Sequence, residues 1–262
     1  MKNVRFYGEK PYEVAVVHGG PGAPGSVAAI ARVLSEDVGV IEPLQTEKTI
    51  SNQLTELDEV VRTSCMMPIT LVGHSWGAWL VFLYAAKHPK LVKKITLVGS
   101  SPFEMKYVKQ IDKNRRNHLT EIEGEEYDLI LKKMSTAHKT FNNGILERLG
   151  KLVAKSDNYY TFSIPTDEVD CLKADDKIYR SIWNEAAAMR ESGELLEQSS
   201  FITCPVVAIH GDYDPHPADG VSHPLGVRLS NFTFYLLEKC GHSPWKEKYA
   251  TKRFYEILRE EM

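Results

Sequence analysis

The segment Ile69–Leu80, ITLVGHSWGAWL, places a serine between two glycines, where one apolar run ends and another begins. The residues before Gly73 form a short apolar run with β-branched side chains, which is typical of a buried strand. After Ser75, apolar residues such as Trp79 and Leu83 recur at helical spacing. Because glycine lacks a Cβ atom, the two glycines allow the chain to turn sharply. The segment therefore predicts a strand, a tight turn centred on the serine, and a helix.

Four further apolar runs have the same character as the one before Ser75. Each is short, rich in residues that favour strands, and ends in Gly, Pro or a polar residue. Strands that are apolar along their whole length are typically buried on both faces, as in a parallel sheet. The four runs are Val14–Gly22, Lys94–Pro102, Cys204–Asp214 and Phe232–His242.

Helical patterns lie between these runs. Apolar residues recur at helical spacing from Ile50 to Val61, with Ser51 as the predicted N-cap and Pro68 as the stop signal. A closing amphipathic helix is predicted over Trp245–Leu258. Strands that alternate with helices predict right-handed βαβ units. The predicted fold class is therefore α/β, with a mostly parallel central sheet flanked by helices.

Residues 102–200 interrupt this alternation. They contain no strong strand run, and they carry charged helical stretches around Glu121–Ala137, Ile145–Ala154 and Ile178–Leu196. We interpret this segment as a helical insertion that covers one end of the sheet. The predicted organisation is a core of residues 1–101 and 201–262, with residues 102–200 as the insertion.

Composition excludes several classes of function. The chain has a net charge of −3 and no basic patch, which argues against binding to nucleic acid or to an anionic membrane surface. No apolar stretch approaches the length of a membrane span, and the N-terminus MKNVRFYGEKPYE has no apolar core of signal-peptide length. No Cys-x-x-Cys pair occurs among the 4 cysteines, so neither a zinc knuckle nor a redox motif is indicated. We expect a soluble, reduced, cytoplasmic protein.

A serine at a strand–helix turn is a candidate nucleophile, which needs a base and an acid that orients the base. The run ending at Gly211 leads into Asp212 and Asp214, and the next run ends at His242. Both positions follow predicted strands, where α/β sheets place their catalytic groups. Asp214 is favoured over Asp212, and His242 is favoured because it lies between a strand and a helix. The competing histidines are His210, His216 and His223.

Four motifs occur in the order of a known family. They are HGGPG at 18–22, GHSWG at 73–77, Gly-x-x-Asp at 211–214 and CGHSPW at 240–245. On these motifs the chain resembles the α/β-hydrolase fold superfamily, and within it the proline-iminopeptidase-like branch of serine peptidases and esterases. The motifs span most of the chain outside residues 102–200, which correspond in this resemblance to the family's cap over the active site.

The resemblance implies a role for each matched residue. Ser75 corresponds to the nucleophile, Asp214 to the orienting acid and His242 to the general base. The backbone N–H groups of Gly20 and Trp76 correspond to the oxyanion hole. The residues support the same assignment, because glycines after the first strong strand let backbone N–H groups approach a developing oxyanion.

Two positions depart from the iminopeptidase pattern. His74 stands where those enzymes usually carry glycine, and we expect its side chain to point away from Ser75 and to serve packing or hydrogen bonding. Glu185 is the candidate for holding a substrate's free amine, although its surroundings differ from the family's motif. Tyr179 and Trp183 are expected as packing residues, with the lining of an apolar pocket as the alternative.

The sequence thus predicts a serine hydrolase that cleaves a small-molecule ester, amide or lactone through an acyl-enzyme. The alternatives are a proline-iminopeptidase-like aminopeptidase and a non-catalytic ligand-binding member of the fold. The expected partner is a small-molecule or short-peptide substrate. Asp212, Asp214 and His216 alternate along the chain and raise the possibility of a metal site. Because a catalytic acid already explains one carboxylate, we expect no metal and no cofactor.

Overall fold

The computed structural model of the 262-residue chain describes residues 3–136, 143–162, 170 and 176–262. In these residues the strands are β1 (Val4–Tyr7), β2 (Tyr12–Val17), β3 (Gly39–Pro43), β4 (Ile69–His74), β5 (Val92–Val98), β6 (Val206–Gly211) and β7 (Phe232–Leu237). They form one sheet in the order β1-β3-β2-β4-β5-β6-β7. The edge strand β1 is antiparallel to β3, and every other neighbouring pair is parallel.

Helices lie between most of the strands. The α-helices of the described residues are α1 (Ala28–Leu34), α2 (Ile50–Ser64), α3 (Trp76–Lys87), α4 (Val108–His118), α5 (Glu121–Thr136), α6 (Asn143–Ser156), α7 (Asp176–Ser192), α8 (Glu194–Glu197), α9 (Asp219–Arg228) and α10 (Thr251–Glu260). Short 3₁₀ helices occupy Met105–Tyr107, Gln198–Phe201 and Pro244–Lys246. None of these helices has the length and apolar composition needed to cross a bilayer.

The apolar strands divide the core into two clusters, one on each face of the sheet. Along β2, Ala15 and Val17 join a cluster that includes side chains of α2, α3 and α9. Val14 and Val16 join the opposite cluster, which includes side chains of α1 and α10. Successive side chains of a strand point to opposite faces, so a strand that is apolar throughout supplies both clusters. This burial explains why the strand runs show no apolar–polar alternation.

The five runs predicted as strands correspond to β2, β4, β5, β6 and β7, which confirms those predictions. The sequence pattern does not predict β1 and β3. Glu42 interrupts the apolar character of β3, yet it is fully buried. Its Oε2 accepts a hydrogen bond from the Tyr7 hydroxyl at 2.8 Å and lies 3.5 Å from Arg5 Nη1, so the buried carboxylate has two partners on the neighbouring strand β1.

Two predicted helix boundaries are wrong. Thr49 caps α2 through its Oγ1 atom, which accepts the Asn52 N–H at 3.2 Å, and Ser51 lies inside the helix. The last helix begins at Thr251, because Trp245 belongs to a separate 3₁₀ helix. For α2, the cap lies two positions before the predicted one. For the last helix, the apolar spacing begins before the backbone becomes α-helical.

The stretch between β5 and β6 contains α4 to α8, and its described residues contain no strand. Helices α4, α5 and α6 pack around a separate small cluster that includes Leu119, Tyr127 and Leu152. Helix α7 instead inserts Ile182 into the cluster shared with α2 and α3. The inserted helices therefore have a core of their own and a second anchor on the sheet-packed helices.

The predicted helical stretches of this segment correspond to α5, α6 and the pair α7 and α8, and the third is broken at Gly193, where φ is +84°. The division into a core of 1–101 and 201–262 and a cap of 102–200 stays a prediction. Ala137, predicted as a helix end, and the stretches 137–142, 163–169 and 171–175 lie outside the described residues.

Gly77, in the first turn of α3, provides a test of this packing. A Cβ atom at Gly77 would lie 2.3 Å from the Val17 carbonyl oxygen of β2 and 2.6 Å from that of His18. We expect Gly77→Ala to lower the free energy of unfolding by more than about 1 kcal/mol, because overpacking usually costs about 1–3 kcal/mol.

The matched control is Gly150 in α6, where a Cβ atom would meet nothing within 4 Å. Gly150→Ala should raise the free energy of unfolding by roughly 0.5–1 kcal/mol, because alanine favours the helix. Urea unfolding followed by circular dichroism measures both variants. Equal effects of the two substitutions would contradict the close approach at Gly77.

Candidate active site

Ser75 lies in the tight turn between β4 and α3. Its backbone has φ +54° and ψ −114°, a conformation that is unfavourable for a residue with a Cβ atom. The Ser75 N–H donates to the Val98 carbonyl at the end of β5, at 2.9 Å. Gly19 packs against the turn so closely that a Cβ atom there would lie 2.9 Å from the Ser75 Cβ. The predicted strand–turn–helix is therefore present, with the serine at the carboxyl end of the sheet.

Asp214 and His242 follow the parallel strands β6 and β7. The His242 Nδ1 lies 2.8 Å from Asp214 Oδ2. Because an ionised carboxylate only accepts hydrogen bonds, His242 Nδ1 is the donor, and its Nε2 is left with a lone pair that can take a proton. The structure thus brings together the predicted acid and the predicted base.

Electrostatics in this pair act in opposite directions on the two groups. Burial alone would raise the pKa of Asp214, but the neighbouring imidazoles of His242, His216 and His210 hold it well below its ordinary value. Burial alone would lower the pKa of His242, but the Asp214 carboxylate and its hydrogen bond raise it above the ordinary value. Asp214 is therefore ionised, and it stabilises the imidazolium form of His242.

His216 occupies the other oxygen of the same carboxylate. Its backbone N–H and its Nδ1 both lie 2.9 Å from Asp214 Oδ1. His210 donates from Nε2 to the His216 carbonyl at 2.7 Å. The sequence analysis weighed both histidines as competitors of His242, and His216 also as a metal ligand; the structure places both around Asp214. His216 thus holds Oδ1 of the carboxylate while His242 bonds Oδ2, and the two imidazole rings lie side by side with centroids 4.6 Å apart.

His74 lies beside Ser75 but is directed at the main chain of the predicted base. Its Nε2 is 3.0 Å from the His242 carbonyl oxygen, so Nε2 carries the proton. Its ring meets the Trp245 ring edge-on, with centroids 4.6 Å apart. Burial, followed by the nearby His242, lowers the pKa of His74 well below its ordinary value. The neutral His74 therefore supports the loop that carries His242.

A buried carboxylate, Glu247, holds that loop in place. It accepts the Gly241 N–H at 2.9 Å, and the N–H groups of Tyr159 and Tyr160 at 2.7 Å each. The His242 N–H donates in turn to the Asp157 carbonyl at 2.7 Å. The loop after β7 is thus bonded directly to the chain that follows α6.

Asp157 is itself fixed by a buried ion pair. The Arg115 guanidinium of α4 forms two hydrogen bonds with the Asp157 carboxylate, at 2.7 and 2.8 Å. Sequence reasoning missed Arg115, Asp157 and Glu247, because each lies in a charged stretch that is typical of a solvated surface. No local signal distinguishes them.

Ser75 and His242 line one cavity of about 560 Å³, a volume suited to a small organic molecule. The sheet side also contributes Gly19, Gly20 and His216. The inserted segment contributes both apolar or aromatic side chains and charged ones: Val108, Ile111, Val153, Tyr179 and Trp183, and Asp112, Arg115, Asp157 and Arg190. Tyr179 and Trp183 therefore line the pocket, as the alternative has it, and Trp183 also packs against the core as expected.

The predicted oxyanion donors lie at this cavity or beside it. Gly20 lines the cavity and has φ +40°. Trp76 is the first residue of α3, and the N–H groups of a first helical turn have no partner within the helix. The Trp76 ring is buried and donates from Nε1 to Gln53 at 3.0 Å, so only its main chain is available to a ligand. The role of both N–H groups stays a prediction.

Glu185 does not face the cavity in the way an amine-binding carboxylate would need to. Its Oε2 accepts the N–H of Ile50, the first residue of α2, at 2.9 Å. It is not among the described residues that line the cavity. A carboxylate at a helix N-terminus is favourably placed there for structural reasons alone.

Metal ligation at this site would compete with the hydrogen bonds already present. Ligand atoms of Asp214, His216 and His242 all lie within 4.8 Å of one another. Both imidazoles already donate to the carboxylate, so a cation would have to displace these two donors. Asp212 accepts the Cys240 N–H at 3.1 Å and does not belong to this group.

Comparison with known families agrees with this geometry. Residues 57–249 match the family model described as alpha/beta hydrolase fold. The match covers most of the chain, and the protein belongs to the α/β-hydrolase fold family. The predicted fold class and family resemblance are confirmed.

Several solved structures share the fold. VinJ superposes with a TM-score of 0.73 at 17% identity, over 98% of this chain and 93% of that chain. A proline iminopeptidase from Mycobacterium smegmatis gives 0.67 at 17% identity, over 98% and 92%. Est816, described as an N-acyl homoserine lactone degrading enzyme, gives 0.64 at 14% identity, over 99% and 96%. A search of curated proteins found no match to the sequence.

Glu247 allows the support of the His242 loop to be tested. We expect Glu247→Gln to lower the free energy of unfolding by about 1–3 kcal/mol, because an amide NH₂ would replace one acceptor oxygen and face a buried N–H donor. Thermal unfolding by calorimetry measures the effect. Glu256→Gln on the exposed side of α10 is the control and should change stability by less than about 0.5 kcal/mol. A Glu247→Gln variant as stable as this control would contradict the proposed support.

Proposed function

We propose that the protein is a serine hydrolase that cleaves a small-molecule ester, amide or lactone through an acyl-enzyme on Ser75. The observation that carries this proposal is the hydrogen bond between Asp214 and His242 at a cavity that Ser75 also lines. Membership of the α/β-hydrolase fold family supports hydrolysis as the reaction class. The residues for nucleophile, base and acid come from three separate strand ends that this fold brings to one edge.

In the proposed reaction, the Ser75 hydroxyl oxygen attacks the substrate carbonyl carbon while His242 Nε2 takes the hydroxyl proton. Asp214 stabilises the imidazolium that results. The N–H groups of Gly20 and Trp76 stabilise the negative charge on the tetrahedral oxygen. His242 then returns the proton to the leaving group, and the acyl-enzyme forms. A water molecule, deprotonated by His242, attacks the acyl carbon, and collapse of the second intermediate releases the acid and restores Ser75.

The cavity favours an esterase or lactonase over an aminopeptidase. Glu185, the residue considered for binding a free amine, is committed to the N-terminus of α2. Of the two carboxylates that the inserted segment places at the cavity, Asp157 is paired with Arg115 and Asp112 accepts the Tyr127 hydroxyl. The non-catalytic alternative leaves unexplained why a raised-pKa imidazole lies at the same cavity as a serine in an unfavourable backbone conformation.

Covalent labelling tests the nucleophile. We expect a fluorophosphonate probe to label the folded protein once, because His242 would activate the Ser75 hydroxyl for attack on phosphorus. Ser75→Ala should abolish labelling and lower kcat for p-nitrophenyl butyrate by about 10⁴–10⁶-fold. Mass spectrometry of the labelled protein gives the site.

The control for the labelling is Ser51→Ala, which removes an exposed hydroxyl of α2. This variant should be labelled as fast as the unmodified protein. Absence of labelling in folded, unmodified protein would overturn the proposal, and so would labelling that survives Ser75→Ala.

The pH profile tests the base. His242 accepts a proton only when neutral, so kcat/KM should rise with pH through its pKa, which Asp214 raises above the ordinary value of about 6.5. In Asp214→Asn the raising charge is removed, so the inflection should move to lower pH, and kcat/KM should fall by about 10²–10⁴-fold.

Stopped-flow or plate-based rates with p-nitrophenyl butyrate across the pH range measure this profile. His223→Gln, which removes an exposed imidazole of α9, should leave the inflection in place. An inflection that does not move in Asp214→Asn would exclude His242 as the base.

A further inference from the structure

Helix α7 directs an arginine into the cavity together with two aromatic residues. Tyr179, Trp183 and Arg190 are four and seven residues apart, which places them along one face of the helix. All three line the cavity that Ser75 and His242 also line. The sequence reads as a charged helix at this point, and nothing in the proposed mechanism uses the arginine.

Arg190 differs from the other cation of the cavity, Arg115, in its partners. Arg115 is neutralised by the Asp157 carboxylate through two hydrogen bonds. No described carboxylate forms an ion pair with Arg190, and its buried Nε has no hydrogen-bond partner. Its guanidinium lies over the Trp79 ring, 5.3 Å from the ring centroid.

The charge of Arg190 is therefore partly removed from water, and no acid in the part of the chain that the structure describes compensates it. Burial lowers the pKa of the Arg190 guanidinium, and no described carboxylate acts in the opposite direction. A partly buried cation without a counter-ion is unfavourable, and stacking on an indole offsets only part of the loss. An anion that enters the cavity would supply the missing partner.

We infer that Arg190 binds a carboxylate group of the substrate, so that the protein hydrolyses carbonyl compounds that carry a carboxylate at a distance from the scissile bond. This inference rests on the proposed function and specifies its substrate class. The planar guanidinium matches a carboxylate with two parallel hydrogen bonds.

The other charges of the cavity favour a monoanion over a phosphate dianion. Asp112 and Asp157 also line the cavity. Asp112 accepts the Tyr127 hydroxyl at 2.7 Å, and the charge of Asp157 is matched by Arg115. Arg190 is thus the one cation among the described lining residues that no carboxylate pairs with, which suits a ligand with a single negative charge.

Trp79 holds the arginine at this place. Its indole Nε1 donates to the Ser101 carbonyl at 3.0 Å, and its ring is buried beneath the guanidinium. A purely structural role for Arg190, as a cap on this indole, would give no preference between anionic and neutral ligands. Ligand charge therefore distinguishes the two roles.

The first experiment measures binding without catalysis. In Ser75→Ala protein, quenching of tryptophan fluorescence is titrated with monomethyl adipate, which is ionised at pH 7.5, and with neutral dimethyl adipate. We expect the monoanion to bind at least about 10-fold more tightly, as for a charge-assisted hydrogen bond. Equal affinity, or no measurable binding of the monoanion, would overturn the inference.

Variants assign the preference to the guanidinium. Arg190→Gln should remove the preference for the monoanion, and Arg190→Lys should keep part of it, because the charge remains while the planar geometry is lost. Arg180→Gln, on the exposed face of the same helix, is the matched control and should keep the full preference. Retention of the full preference in folded Arg190→Gln would overturn the inference, and circular dichroism verifies folding.

The second experiment measures turnover in protein with an intact Ser75. The ratio of kcat/KM for mono-p-nitrophenyl adipate to that for p-nitrophenyl hexanoate should fall at least about 10-fold in Arg190→Gln. If fluorophosphonate labelling succeeds but ligand charge has no effect, the inference fails and the proposed function stands. If the monoanion binds through Arg190 but Ser75 is not labelled, the proposed function fails and an anion-binding site remains.

Discussion

The close approach of the β4–α3 turn to β2 is the constraint on which the candidate site depends. Ser75 has a backbone conformation that costs about 1–3 kcal/mol, so it persists only where its surroundings enforce it. Because Gly77 and Gly19 lack a Cβ atom, the turn and the end of β2 can approach each other closely; a Cβ atom at either position would overlap the opposite segment. On the other side, Val98 accepts the Ser75 N–H. Strands on both sides of β4 therefore determine where the serine hydroxyl can lie.

Buried charges then fix the groups around that serine. Both oxygens of Asp214 accept from imidazoles, and Glu247 accepts from three backbone N–H groups. Removing a partner from such a group lowers the free energy of unfolding by several kcal/mol, because it leaves a buried charge unpaired. Through the Asp157 carbonyl, the His242 loop is also bonded to the chain after α6. A shift of α4 or α6 would therefore change the position of His242. The inserted helices thus help to set the geometry of the site.

Local patterns in the sequence predict five of the strands and the turn at Ser75, because each depends on a short window of neighbouring residues. The buried charges could not be predicted in this way. Arg115 and Asp157 are 42 residues apart in the chain, and Glu247 lies 88 residues from Tyr159. Strand β3 is not predicted for the same reason, because Glu42 breaks its apolar pattern and the partner of Glu42, Tyr7, lies 35 residues away in the chain. Only the fold shows which distant residue bonds to a buried polar side chain. In the sequence, the segment around such a residue resembles a solvated surface.

Arg190 is the exception that connects this arrangement with substrate choice. Arg115 forms an ion pair with Asp157, and Asp112 accepts the Tyr127 hydroxyl. Among the described residues Arg190 has no carboxylate partner, and it lies on the inserted helix α7 and not on the strand ends that carry Ser75 and His242. Binding energy from a group remote from the reacting carbonyl can hold that carbonyl in the orientation for attack. The sheet would then supply the chemistry common to the fold family, while the unpaired cation of the inserted segment would select which carbonyl compound is presented to it.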